Sequence, residues 1–263
     1  MTRMSEVNDW LGYADKLLGV CSGVFDQAQF SDEDKTLSNP KVVALALLCR
    51  TATNFAALRL LVQNEFIVEA RTMARCCYEN LFWIGGLTGK GQEFVEKIVH
   101  HNDVNKKKSS EELLQWAKKQ KQPVQFEADL EKFLVKLKSE TAAGSAVDFK
   151  SAADAGKVGD AYIIYRVLST DAAHPSAMSL NRHVVTKMED DMEHLTLVAE
   201  PPINESELVE TLEFGCSALL GVCVGVNNLV GGTPAGKELH ALFDDYKKLS
   251  EKSASASLDQ AAL

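Results

Sequence analysis

The stretch KVVALALLCRTATNFAALRLLV, residues 41–62, is apolar on nearly every side of a helical wheel. Val42, Val43, Leu45, Leu47, Leu48, Phe55, Leu58, Leu60 and Leu61 leave Arg50, Asn54 and Arg59 as its polar exceptions. A helix of this kind is buried on most sides and needs other helices around it. The spacing therefore predicts an all-α fold, a helical bundle. Pro40 suits the first turn of this helix and Asn39 its cap. Arg50 and Asn54 stand four apart and share a face.

The next stretch outward, EFIVEARTMARCCYENLFWIGGL (65–87), predicts a partner helix. Arg71, Thr72, Arg75 and Glu79 fall on one stripe at about 100° per residue. Phe66, Ala70, Met73, Cys77, Leu81 and Ile84 cover the opposite side. Val68, Phe82 and Trp83 flank the stripe, which predicts that it is partly covered. Arg75 and Glu79 are spaced for an intrahelical ion pair; Arg71 has no local partner. Gly85, Gly86, Gly89 and Gly91 are expected to end the helix.

Further out, residues 6–28 read as an amphipathic helix and 31–39 as a polar connection. Residues 92–140 form a basic helical hairpin excursion, broken near Pro123. Its Lys106, Lys107, Lys108, Lys118, Lys119 and Lys121 are offset by Glu111, Glu112, Glu127, Asp129 and Glu131, the pattern of a solvated hairpin. Residues 141–157 read as a loop, and 184–203 as an irregular excursion with a short strand at 194–198. A long helix is expected over 204–229, where Gly221-x-x-x-Gly225 signals close packing. One more amphipathic helix follows at 234–251. The expected organisation is one domain over 1–250 and a disordered tail over 251–263.

The 263 residues carry a net charge of −9, which argues against broad nucleic-acid binding but leaves room for a small basic site. None of the six cysteines forms a C-x-x-C pair, the pattern of free thiols in a reducing compartment. The N-terminus lacks an apolar signal core. The longest apolar run, 214–230, is interrupted by Asn227 and Asn228 and falls short of the ~20 residues of a spanning helix. The expected setting is the cytoplasm, with no membrane contact. Metal-binding, Walker, dinucleotide and nucleophile-elbow motifs are absent, so no metal and no cofactor are expected.

The chemistry concentrates in YIIYRVLSTDAAHPSAMSLNRH, residues 162–183. Tyr165, Arg166 and Ser169 follow helical spacing. Asp171 and His174, three apart, would form a carboxylate–imidazole pair if the helix continued, fixing the tautomer and raising the ring's basicity. Pro175 disfavours the α conformation at His174, so the histidine is placed where the helix ends. Two readings stay open: Asp171, His174 and Ser176 line a cleft, or they cap and turn the chain. The segment is expected to meet the Arg71–Arg75–Glu79 stripe. The candidate catalytic residues are Arg166, His174 and Asp171. The candidate ligand-binding residues are Arg71, Arg75, Glu79, Tyr165, Ser169, Ser176 and Asn54.

Two stretches, 40–90 and 158–185, resemble a bacterial family of helical proteins of unknown function. Its members show an R-x-x-x-E on a helix, here Arg75 and Glu79. They also show a Y-x-x-x-S-x-x-x-x-H-P-S run, here Tyr165, Ser169, His174, Pro175 and Ser176. The chain is more loosely similar to the HEPN superfamily of nucleotide-binding helical proteins. Many of those are ribonucleases or toxin and phage-defence components that act as dimers. Their active sites pair an arginine with a histidine four to six residues further on; seven residues separate Arg166 from His174 here. The resemblance implies a metal-independent ribonuclease or defence effector acting on RNA or a nucleotide, in a homodimer or with a partner protein. The alternative is a noncatalytic module that binds a small anion, a nucleotide or a partner protein.

Overall fold

The computed structural model describes residues 3–29, 36, 38–120, 125–140, 147–189 and 192–261. The expected connection at 31–35, the break at Pro123 and the start of the loop at 141–146 lie outside them. The fold is all-α. Helices α1 (Arg3–Asp26), α2 (Pro40–Gln63), α3 (Ile67–Lys90) and α9 (Glu205–Leu229) supply most of the core. Between α3 and α9 come α4 (Gln92–Lys118), α5 (Glu127–Glu140), α6 (Phe149–Ala155), α7 (Ala161–Leu168), a π turn (Ser169–Ala173) and α8 (Ala177–Asn181). A β1–β2 hairpin (Val184–Glu189 and Met192–Leu197) precedes α9, and α10 (Gly236–Ala261) follows it.

α2 begins as its sequence dictates. Asn39 sits in extended conformation, and its side-chain oxygen accepts from the Lys41 N–H at 2.8 Å, with Pro40 in the first turn. Leu48, Phe55 and Leu58 are fully buried against α3 and α9. α9 packs on α1, α2, α3 and α10. Its Gly225 lies against Ile84, where any Cβ would overlap that side chain, so the expected close crossing is made on α3.

Five features differ from the expectations. α3 runs past the expected Leu87 to Lys90, where Gly91 (φ 50°) ends it as expected; Gly86 and Gly89 lie inside the helix instead, where they admit Phe94 and Ala155. The expected loop contains α6, whose Ala152 and Ala153 bury against the core. The irregular excursion is a regular antiparallel hairpin. α10 continues to Ala261 past the expected start of a disordered tail, and buried Ser253 accepts a hydrogen bond from Trp10 Nε1 at 3.1 Å. Finally, α2 and α9 are each long and apolar enough by length and composition to cross a membrane, contrary to the reading of 214–230 as too short. Here both pack into the bundle, α9 being the more enclosed.

The hairpin excursion is present. Phe94 and Val95, at the root of α4, enter the core, while Ala117, Leu134 and Leu137 are buried separately between α4 and α5. Lys118–Glu131 and Lys138–Glu111 bridge the two helices. Two lysines of this arm thus pair with its own acids.

Candidate functional site

α7 is short and strongly two-sided. Tyr162 and Tyr165 turn inward to an aromatic cluster with Phe82 and Phe149, while Ile163, Arg166 and Val167 face solvent. At its end the helix widens into the π turn. The local cause is visible in the sequence pair Ser169–Thr170. Ser169 Oγ donates to the Tyr165 carbonyl at 2.8 Å and Thr170 Oγ1 to the Arg166 carbonyl at 3.1 Å. Such back-bonding competes for the carbonyls that would continue the helix. π turns inside helices are frequent at functional sites.

The turn closes as Pro175 requires. His174 is extended (φ −132°, ψ 145°). Ser176 then caps α8 in a reciprocal capping box with Ser179, and its Oγ donates to the Thr170 carbonyl at 2.7 Å. Ser176 therefore serves the turn.

Asp171, inside the π turn, is only 3% exposed. One of its carboxylate oxygens lies 2.6 Å from Arg71 Nε and 2.7 Å from an Arg182 terminal nitrogen. The other accepts from Arg182 Nε at 3.0 Å. Arg71, 4% exposed, also reaches Glu210 at 2.8 Å. Arg182 forks onto Glu207 at 2.9 and 3.1 Å. Asp171 and Glu207 hold the Arg182 guanidinium well above its ordinary value, against the cost of its burial. The network ties the π turn and the root of the hairpin to α3 and α9. An open pocket of about 350 Å³ lies over it, completed by Val167, Met178 and Asn181. Two guanidiniums line it with two carboxylates, Asp171 and Glu207, that already pair with them, so the pocket is not built for an anion.

One helical turn along α3, Arg75 donates to Ser169 Oγ at 3.0 Å, pairs with Glu79 at 2.7 Å and stacks over the Tyr165 ring at 5.5 Å. Burial opposes the Arg75 charge, but Tyr165 and Glu79 outweigh it and raise the group. Glu79 is itself raised: burial is the largest cause, only partly offset by Arg75, Arg50 and a bond from Tyr165. Thr72 Oγ1 reaches the Ala172 carbonyl at 3.4 Å.

The stripe and the segment thus meet as expected, through Arg71–Asp171, Arg75–Ser169 and Arg75–Tyr165. Other expectations are corrected. Asp171 does not pair with His174, because both of its oxygens are held by arginines. Arg71 is clamped by Asp171 and Glu210 and is closed to a phosphate. Asn54 lies on α2, outside this network, and its side-chain nitrogen is buried without a hydrogen-bond partner among the described residues. Arg166 and His174 are exposed, and neither side chain bonds another described residue. Sequence reasoning missed Arg182, Glu207 and Glu210. Glu207 looks like an ordinary first-turn acid of α9, and Arg182 has no partner at helical spacing.

A model of a family of unknown function, DUF5677, matches residues 41–193, more than half of the chain. The chain belongs to this family. The match runs from the start of α2 into the hairpin. It takes in Arg71, Arg75, Glu79, Asp171 and Arg182, whereas Glu207 and Glu210 lie beyond it on α9. No curated protein and no solved structure matches the chain. Among the described residues no group of three or more His, Cys, Asp or Glu side chains is placed to hold a metal ion.

Proposed function

We propose that this chain is a HEPN-like, metal-independent ribonuclease of the defence or toxin type, working from the exposed side of α7 and the π turn. The observation that carries the reading is the pair of uncommitted groups at that turn, the Arg166 guanidinium and the His174 imidazole. An α-helix repeats at roughly 3.6 residues per turn, and a π turn, bonded i to i+5, takes more. One turn of each spans about eight residues, the separation of Arg166 from His174. The π turn thereby compensates for a spacing longer than the superfamily's. Arg166 would hold the scissile phosphate. His174 would take the proton of a ribose 2′-hydroxyl or return one to the leaving oxygen. Asp171 leaves the catalytic set and becomes the anchor of the turn. A cytoplasmic setting accords with six free cysteines.

The test is cleavage of a single-stranded RNA by purified protein in a chelator. His174→Ala is expected to lower the rate about 10²- to 10⁴-fold with an unchanged melting temperature, and Arg166→Ala to act alike. No cleavage by the wild type, or unfolding of His174→Ala, would overturn the reading.

A second reading, a noncatalytic module for a partner protein, is favoured by the hairpin. One face of it aligns Val184 with Leu197 and Thr186 with Leu195, followed by Met188. Leu195 and Leu197 are 75% and 81% exposed. A lone two-stranded hairpin is marginal in water, and an apolar face of this kind marks an interaction surface.

A further inference from the structure

Away from the π turn, a cleft of about 540 Å³ opens between α3, α9, α10 and the connection from α6 to α7. This size falls within the range of small-molecule sites, which are mostly apolar with a few placed polar groups. Leu81, Ile84, Val158, Val224 and Phe243 supply the apolar wall. In a chain with net charge −9, no charged side chain among the described residues lines it.

Its polar side chains are Thr88, Ser217, Asn228 and Tyr246. The Tyr246 phenol bonds the Ser217 hydroxyl. The Tyr78 hydroxyl, fully buried, bonds Ser217 as well. Burial raises both phenols, so both are neutral hydrogen-bonding groups at physiological pH.

We infer that this cleft binds a neutral, largely apolar small molecule bearing one hydroxyl or carbonyl, its polar atom at Ser217 and its hydrocarbon along α3 and α9. The charge pattern selects against an acid. Among the described residues no cation lines the wall, so a carboxylate would be buried unpaired.

The experiment uses the full chain and the neutral fluorophore N-phenylnaphthylamine. Saturable binding of one probe per chain is expected, displaced by decanol and not by decanoate. Val224→Trp and Ala161→Trp fill the wall from α9 and α7. Each is expected to weaken probe binding roughly tenfold or more, with a melting temperature close to wild type. Two plugs from different helices keep the test meaningful if one of them fails to fold. Non-saturable binding, equal displacement by decanoate, or wild-type affinity in a folded plug variant would overturn the proposal. So would a dimer that the plugs dissociate, since the occupant would then be a second copy.

Discussion

Arg71 and Arg75 stand one turn apart on the same stripe of α3 and are held in opposite ways. Arg71 is buried, and its partners come from far along the chain: Asp171 from the π turn and Glu210 from α9. Arg75 is partly exposed and pairs first with its own helix, through Glu79, adding Ser169 and the Tyr165 ring. The first arginine makes ion pairs only between elements. The second divides its contacts between its own helix and the segment around the π turn. The same residue type at the same kind of position is thus wholly tertiary in one place and partly local in the next, and the more buried of the two is the wholly tertiary one.

The comparison breaks most visibly at Asp171. Removing one member of a buried ion pair strands the others, at a cost of about 3–5 kcal/mol. Arg71 would keep Glu210, and Arg182 would keep Glu207. Asp171→Ala is therefore expected near the lower end, about 3 kcal/mol, read as a shift of the urea midpoint. Arg75→Ala should cost about 1 kcal/mol, the scale of a partly exposed pair with a stacked ring. Equal losses would abolish the distinction.

A double-mutant cycle sharpens the contrast. Coupling between Arg71 and Asp171 is expected at about 2 kcal/mol, within the range for contacting residues in one network. Coupling between Arg75 and Glu79 should be about 0.5 kcal/mol, the value of an i,i+4 helix pair.

The same division explains what the sequence disclosed. Local signals were legible: the Asn39–Pro40 start of α2, the Arg75–Glu79 pair, the extended residue before Pro175, the Gly221–Gly225 crossing. What depended on distant neighbours was not. Gly85, Gly86 and Gly89 read as a helix end because the fold's use of them is to admit Gly156, Phe94 and Ala155. α6 is built of small residues with little large-residue periodicity, so its burial against α3 left no pattern. The Arg71–Glu210 contact spans 139 positions, and no spacing rule reaches that far. Sequence spacing pairs Asp171 with His174, its neighbour along the chain, whereas its neighbours in space are Arg71 and Arg182.

The smallest effect concerns Glu79, and it tests whether a local pair stabilises at all. Its carboxyl is raised above the ordinary value because burial outweighs the attraction of Arg75 and Arg50. The folded protein therefore holds this proton more tightly than the unfolded chain does. Across the interval between the unfolded and folded values the native state binds more protons, so stability falls as pH rises through it. Above and below that interval the contribution of the group is constant. Glu79→Gln keeps the shape and removes the titration. Its stability relative to wild type should improve as pH is raised from about 4 to about 7, ending within about 1 kcal/mol of wild type or above it. Urea midpoints of both proteins along that pH series make the measurement. If wild type instead gained on the variant with rising pH, the Arg75 attraction would exceed the cost of burial. Glu79 would then belong with Asp171 as a carboxylate whose charge the fold requires.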